Sequence, residues 1–169
     1  TLFWLGDCQE ALACLERGGL LGVESNEERI GSQGFELLNL AATFEGLSAF
    51  RLGEFSQARR ALESLIARAL PTHNQHVFNR VVALQGAAWL ACQFEDTDLL
   101  GKLSMELESL ALNHNFAFYH GIGKFFRGCH LAAIGHHNEA EQTMREGYER
   151  HMLCHGGRLF HSFYAWRLG

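Results

Sequence analysis

Three stretches of the chain align without a gap: LGDCQEALACLERG (residues 5–18), LGEFSQARRALESL (residues 52–65) and IGHHNEAEQTMREG (residues 134–147). Each has glycine in second place (Gly6, Gly53, Gly135), then an alanine (Ala11, Ala58, Ala140) and, four residues further on, an apolar side chain (Leu15, Leu62, Met144). Another glycine recurs seven residues before two of the turn glycines, at Gly46 and Gly128. A fourth, degenerate copy fits between them, with Gly86 upstream and Gln93 in the turn place, which makes the turn-to-turn distances 47, 40 and 42 residues. Self-similarity at such a period marks a repeat architecture.

The physics of the pattern is an antiparallel helix pair. Glycine inside a helix costs about 1 kcal/mol relative to alanine, and close approach of the partner helix offsets that cost at Gly46, Gly86 and Gly128. Gly53 and Gly135 suit the left-handed residue that ends a helix, and Glu54 or Asn138 then helps start the next. Ala58 and Ala140 are the small contact residues of the second helix, where positions 58, 61, 62, 65 and 69 keep helical spacing. Helices are expected over Asp7–Arg17, Gln33–Leu52, Ser56–Leu70, Val77–Phe94, Asp96–Leu112, Phe116–Ile134 and Asn138–Cys154, with an eighth from about Leu159. Four of the connections are short enough for antiparallel neighbours. Residues 18 to 32, with Gly19, Gly22, Gly31 and the run ESNEER, are expected to form a longer exposed loop, and Pro71 to mark a repeat boundary.

Composition narrows the class. Hydrophobic residues are 47% and charged ones 20%, too apolar for a disordered tail. One proline fits poorly with a loop-rich sandwich. Fourteen basic against nineteen acidic residues, a net charge of -5, give no cationic field to hold nucleic-acid phosphates. The longest apolar run, Val81 to Phe94, is broken by Gln85 and Gln93 and falls short of the roughly 20 residues that span a bilayer, so it reads as a buried core helix. The N-terminus lacks the basic flank and cleavage site of a secretory signal and starts inside a hydrophobic pattern, as a piece cut from a longer chain would. Five cysteines (Cys8, Cys14, Cys92, Cys129, Cys154), without CxxC spacing, are expected to be small buried hydrophobes in a reducing compartment, the cytoplasm.

The glycine–alanine signature resembles the tetratricopeptide repeat, with Phe55 filling its aromatic place and Cys8 and His137 departing from it. The spacing exceeds that family's usual period of about 34 residues. The segments FWLGDCQEALACLERG, HNFAFYHGIGKFFRGCHLAAIGHHNEAEQTMREGYERH and GGRLFHSFYAWRL are similar to a narrower group, the C-terminal repeat regions of bacterial signalling ATPases. Members of that group join the repeats to a nucleotide-binding module and often to an adenylate cyclase or a DNA-binding domain that regulates transcription. The resemblance implies an all-α, right-handed superhelix of seven to eight helices in one repeat domain over residues 1–169. Its repeats would fall roughly at 1–19, 33–70, 77–112 and 116–154, with another starting at 157–169. It also implies protein or peptide binding, with no catalytic residue, no cofactor, and no direct contact to nucleic acid or membrane. Consistent with that expectation, the sequence has no G-x-x-x-x-G-K-[ST] phosphate loop.

Partner-binding candidates are the polar residues placed on exposed first-helix faces: Glu45, Arg51, Arg80, Gln85, Lys124 and Arg127. Chaperone-binding members of the repeat family grip a terminal carboxylate with Lys, Asn and Arg. The equivalent places here hold Thr43, Leu47, Ala83, Ala87, Phe125 and Cys129, none of them basic or an amide. An alternative reading is a peptide or small-ligand groove around Phe118, Tyr119 and Phe126, on a helix that also carries Phe116 and Phe125. A third is a metal site at His151, Cys154 and His155, whose spacing places all three on one helical face, with His161 as a fourth ligand folding back. Against it stands a polar surface patch at a frayed helix end. His114, His120, His130, His136 and His137 read as turn and surface histidines, which would sensitise a surface to pH near about 6.5. Cys129 and His130 are adjacent on a helix and point apart, which speaks against a Cys–His nucleophile. Exposure of Phe160, Phe163, Tyr164 and Trp166 on a terminal helix would favour a homodimer.

Overall fold

The computed structural model describes residues 2–18, 32–70, 76–154 and 161–168. A 3-10 turn at Phe3–Leu5 leads into α1 (Cys8–Arg17), α2 (Ser32–Leu52), α3 (Phe55–Ala69), α4 (Val77–Gln93), α5 (Thr97–Asn113), α6 (Ala117–Ala133), α7 (His137–Met152) and α8 (His161–Leu168). The described residues contain no strand, and the fold is all-α. The helix ends lie within two residues of those expected from sequence; the short 3-10 turn is an addition. The expected loop over residues 19–31 and the Pro71 boundary lie outside the described residues, as do His155 and Phe160. None of the described helices is long and apolar enough to cross a membrane.

Among the described residues one turn is used five times. Left-handed backbone occurs at Gly6, Gly53, Glu95, Asn115 and Gly135, with φ of 86°, 83°, 56°, 58° and 89°. The amide of the next residue reaches back to the fifth residue before it in every case: Asp7 to Leu2, Glu54 to Ala49, Asp96 to Ala91, Phe116 to Ala111 and His136 to Leu131, at 2.8–3.1 Å. The left-handed residue's own amide bonds to the carbonyl three before it, as in Gly53 to Phe50 and Gly135 to Ala132, both 3.1 Å. This double closure satisfies two carbonyls that a helix end leaves open. The following residue caps the next helix; Asp7 and Asp96 do so through their carboxylates, accepting from the amides of Glu10 and Leu99.

The degenerate copy is thereby corrected. Its left-handed residue is Glu95, two places after Gln93, and Gln93 is the last residue of α4. Asn115 supplies a further equivalent between α5 and α6, so the last three turns follow one another every 20 residues (95, 115, 135).

The chain divides into two compact units, residues 1–90 and 91–169, with the boundary inside α4. In the first, Gly46 of α2 lies against Leu90 and Ala61, and Gly86 of α4 against Thr43 and Leu65. Glu45 pairs with Gln57, and Arg80 with the Ala69 carbonyl, which sets α3 antiparallel to both α2 and α4. Helices α2 and α4 run in one direction, tied by a buried Asn39 side-chain bond to the Asn79 carbonyl at 2.9 Å. Leu62, Leu65, Val81 and Leu84 form the interior, and burying each contributes about 1.5–3 kcal/mol.

In the second unit α6 is clasped on two sides. A Cβ on Gly123 would stand 2.7 Å from the Glu108 amide nitrogen of α5, and one on Gly128 would stand 2.8 Å from the Met144 amide nitrogen of α7. Both pairs run antiparallel, and Leu107, Phe125 and Phe126 fill the interior. Helix α8 lays Tyr164 on Phe125, ring centroids 4.2 Å apart. Tyr164, expected to be exposed, is 2% exposed, because α7 and α6 already supply its cover through Tyr148, His151 and Phe125. Phe163 is half-buried against Phe125 and Phe126.

Candidate functional site

The polar candidates on first helices all make contacts within their own units. Arg51 is exposed, with its guanidinium 4.0 Å from the Phe3 ring centre and Nη1 donating to the Phe3 carbonyl at 3.3 Å. Glu45 accepts from Gln57, and Arg80 donates to the Ala69 carbonyl. Gln85 departs from expectation: it is 6% exposed, since every residue from Val81 to Cys92 is buried. A helix that is apolar all round has no outer face to offer. Thr43, Leu47, Ala83, Ala87, Phe125 and Cys129 are buried as well, so these positions serve packing.

Lys124 and Arg127 belong to a charged cluster spanning α5, α6 and α7. Arg127 Nη1 lies 3.0 Å from Glu108 Oε2, and Lys124 pairs with Glu146. Lys124 and Gln142 hold the Glu146 carboxyl below its ordinary range. Behind them, His120 is buried, with Nε2 3.7 Å from Glu108 Oε1 and Nδ1 2.9 Å from Arg150 Nη1. Arginine has only donors, so Nδ1 accepts, and the ring proton sits on Nε2 toward Glu108. Burial depresses the His120 pKa, the Arg150 charge depresses it further, and Glu108 opposes both. His120 is therefore an interior histidine, contrary to its surface reading. His130 is half-buried; its Nδ1 lies 3.0 Å from the Thr97 carbonyl and its ring against Gly101. The turn residues His114, His136 and His137 are exposed as expected.

A second arrangement was not legible in the spacing. Cys92, at the end of α4, and Cys129, on α6, are neighbours at one cleft, and the Cys129 thiol donates to Met144 Sδ at 3.9 Å. Arg167 of α8 places Nη2 3.0 Å from Cys92 Sγ and 3.3 Å from the Cys92 carbonyl. The neighbouring Cys129 thiol and the Arg167 charge lower the Cys92 thiol pKa, against burial and the Glu95 charge. Cys129 is pushed well up by its neighbour Cys92 and by burial. Both line a cleft of about 440 Å³ with Glu95, Thr97, Leu100, Ala132, Ala133 and Arg167. The two residues are 37 positions apart in sequence and meet only because α6 packs where the α4 terminus ends.

His151 is fully buried, with Nδ1 3.2 Å from the Phe118 carbonyl and its ring 4.2 Å from that of Phe118. Burial lowers its pKa. Tyr164 of α8 covers it there, ring centroids 5.5 Å apart. Cys154 Sγ turns toward the Arg150 carbonyl, and His161 Nδ1 faces the Tyr148 hydroxyl at 3.1 Å. Among the described residues no group of three or more His, Cys, Asp or Glu side chains is placed to hold a metal ion. In the aromatic alternative, Phe126 is core, while Phe118 and Tyr119 are half-buried and packed edge to face.

An all-α protein of packed helical hairpins is the class these features define. The chain matches no family model, no curated protein and no solved structure.

Proposed function

We propose that the chain is a non-catalytic, protein- or peptide-binding repeat module of the tetratricopeptide kind, of the sort that serves bacterial signalling or transcription-regulating ATPases in the cytoplasm. The observation that carries the reading is the five-fold reuse of one turn, with the same pair of backbone bonds at Gly6, Gly53, Glu95, Asn115 and Gly135. Helical-hairpin arrays that reuse one connection are built to stack into a right-handed superhelix and present a continuous surface, and they act by non-covalent recognition. Lys124 and Arg127 are the cations proposed to meet a partner. Because Glu146 and Glu108 occupy them, an acidic partner gains only by displacing an intramolecular carboxylate, which favours moderate affinity and strong salt dependence.

Affinity capture with the chain as bait, compared with the double variant Lys124→Glu, Arg127→Glu, tests the proposal. A protein bound by the parent, identified by mass spectrometry and held at least tenfold more weakly by a folded variant, supports it. Retention of nothing beyond what an unrelated helical protein retains refutes it.

A further inference from the structure

We propose that Cys92 and Cys129 form a peroxide-reactive thiol pair, with Cys92 the nucleophile and Cys129 the thiol that resolves it. Three separate features converge there. The two thiols, carried by different helices, are neighbours that face the same cleft. A guanidinium stands 3.0 Å from Cys92 Sγ, the surrounding that favours a thiolate over a thiol. The pair also lines a cleft of about 440 Å³, although the residues themselves are only 3% and 7% exposed. A water occupies about 30 Å³ of liquid, so peroxide, at about twice that, has room to enter.

The groups facing Cys92 are Arg167 from α8, Cys129 from α6 and Glu95 from the turn after α4. The neighbouring Cys129 thiol and Arg167 favour the anion, and burial and Glu95 oppose it. Cys129 faces a buried Tyr164 and donates no charge to the site in its thiol form. The asymmetry assigns the roles: Cys92, the thiol beside the guanidinium, attacks first.

The Cys92 thiolate attacks one oxygen of hydrogen peroxide. The O–O bond breaks, hydroxide leaves and takes up a proton to become water, and Cys92 becomes a sulfenic acid. Cys129 sulfur then attacks the Cys92 sulfur. The S–S bond forms, the S–O bond breaks, and the departing hydroxyl takes the Cys129 proton as a second water. Two thiols and one peroxide give one disulfide and two waters, with the sulfurs losing the two electrons that the peroxide gains. Loss of the thiolate also removes one of the two contacts by which Arg167 grips Cys92, leaving the carbonyl bond at 3.3 Å. Oxidation is thus coupled to the docking of α8.

The test treats the whole reduced protein with hydrogen peroxide at neutral pH without denaturant. The expected product has lost two hydrogens, and peptide mapping finds Cys92 joined to Cys129. In Cys129→Ser the sulfenic acid on Cys92 persists and is trapped by dimedone. Arg167→Gln slows alkylation of Cys92 by iodoacetamide roughly tenfold at neutral pH, and Arg167→Lys restores most of the rate. A variant that lost its fold would expose Cys92 and alkylate faster, the opposite direction; the parent's own peroxide reaction then decides. Oxidation confined to the exposed Cys14 and to Cys154, with Cys92 and Cys129 recovered as thiols, overturns the proposal.

Discussion

Gly121 on α6 and Gly147 on α7 exclude each other's side chains. A Cβ on Gly147 would lie 2.8 Å from the Gly121 carbonyl oxygen and 2.6 Å from the Phe125 amide nitrogen, and a Cβ on Gly121 would lie 2.9 Å from the Gly147 carbonyl oxygen. The obstructing atoms are backbone on both sides, so relief requires the two helices to separate. Alanine gains about 1 kcal/mol of helix propensity, but overpacking costs about 1–3 kcal/mol and wins. Gly147→Ala is expected to lower stability by up to about 2 kcal/mol. A urea midpoint equal to or above the parent's refutes the crossing.

The recurring turn makes opposite demands at two of its copies. Gly53 has φ 83° with nothing near its Cβ position, so alanine there meets only the left-handed backbone penalty, about 1 kcal/mol. Glu95 already bears that penalty at φ 56°. Gly53→Ala is therefore expected to destabilise by about 1 kcal/mol and Glu95→Gly to stabilise by a few tenths, after glycine's extra chain entropy is subtracted. Thermal unfolding of the two variants side by side checks the signs; equal shifts would show that the turns are not equivalent.

His120 and His151 both have pKa values lowered by burial below their ordinary 6.5. The unfolded chain therefore takes up protons near pH 6.5 that the folded chain refuses. Their contribution is complete above about 6.5, falls as the pH drops through the window down to the folded values, and is level below it. Urea midpoints are expected to decrease from pH 7.5 to 5.5, and His120→Gln to flatten part of that slope. A midpoint that rises on acidification contradicts the buried neutral histidines.

The helices and turns were legible because they rest on local rules. Helical spacing in α3 and the left-handed preference of Gly53 and Gly135 act within a few residues. Glu95 escaped because glutamate carries no turn signal; Asn115 is of a type that enters the left-handed region, but it lies outside the glycine–alanine pattern. Gln85 was misplaced by treating a polar atom as an outward face, although the apolar run around it had already marked α4 as buried. The Cys92–Cys129 pair and the interior positions of His120 and His151 depend on which helices meet. One sequence does not encode that in any local pattern.

The N-terminal 3-10 turn is expected to depend on one exposed side chain. Phe3 is 2% exposed and packs on Phe44 and Trp89, with Trp4 beside it at 5.2 Å. Arg51, from the last turn of α2, covers the Phe3 ring and holds its carbonyl. A cation over an aromatic face at a wet site contributes about 0.5–1 kcal/mol, and the bond to a carbonyl adds a similar amount. Arg51→Ala should thus loosen the 3-10 turn while leaving the hairpins folded, whereas Phe3→Ala removes core and costs about 3–5 kcal/mol. Tryptophan emission should shift to longer wavelength in Arg51→Ala at unchanged helical circular dichroism, because Trp4 gains water before α2 or α4 unfolds. In Phe3→Ala the arginine has already lost its ring, so in the double variant the two losses should fall short of additivity by about 0.5–1 kcal/mol. Strict additivity would mean that Arg51 acts on the turn through its carbonyl bond alone.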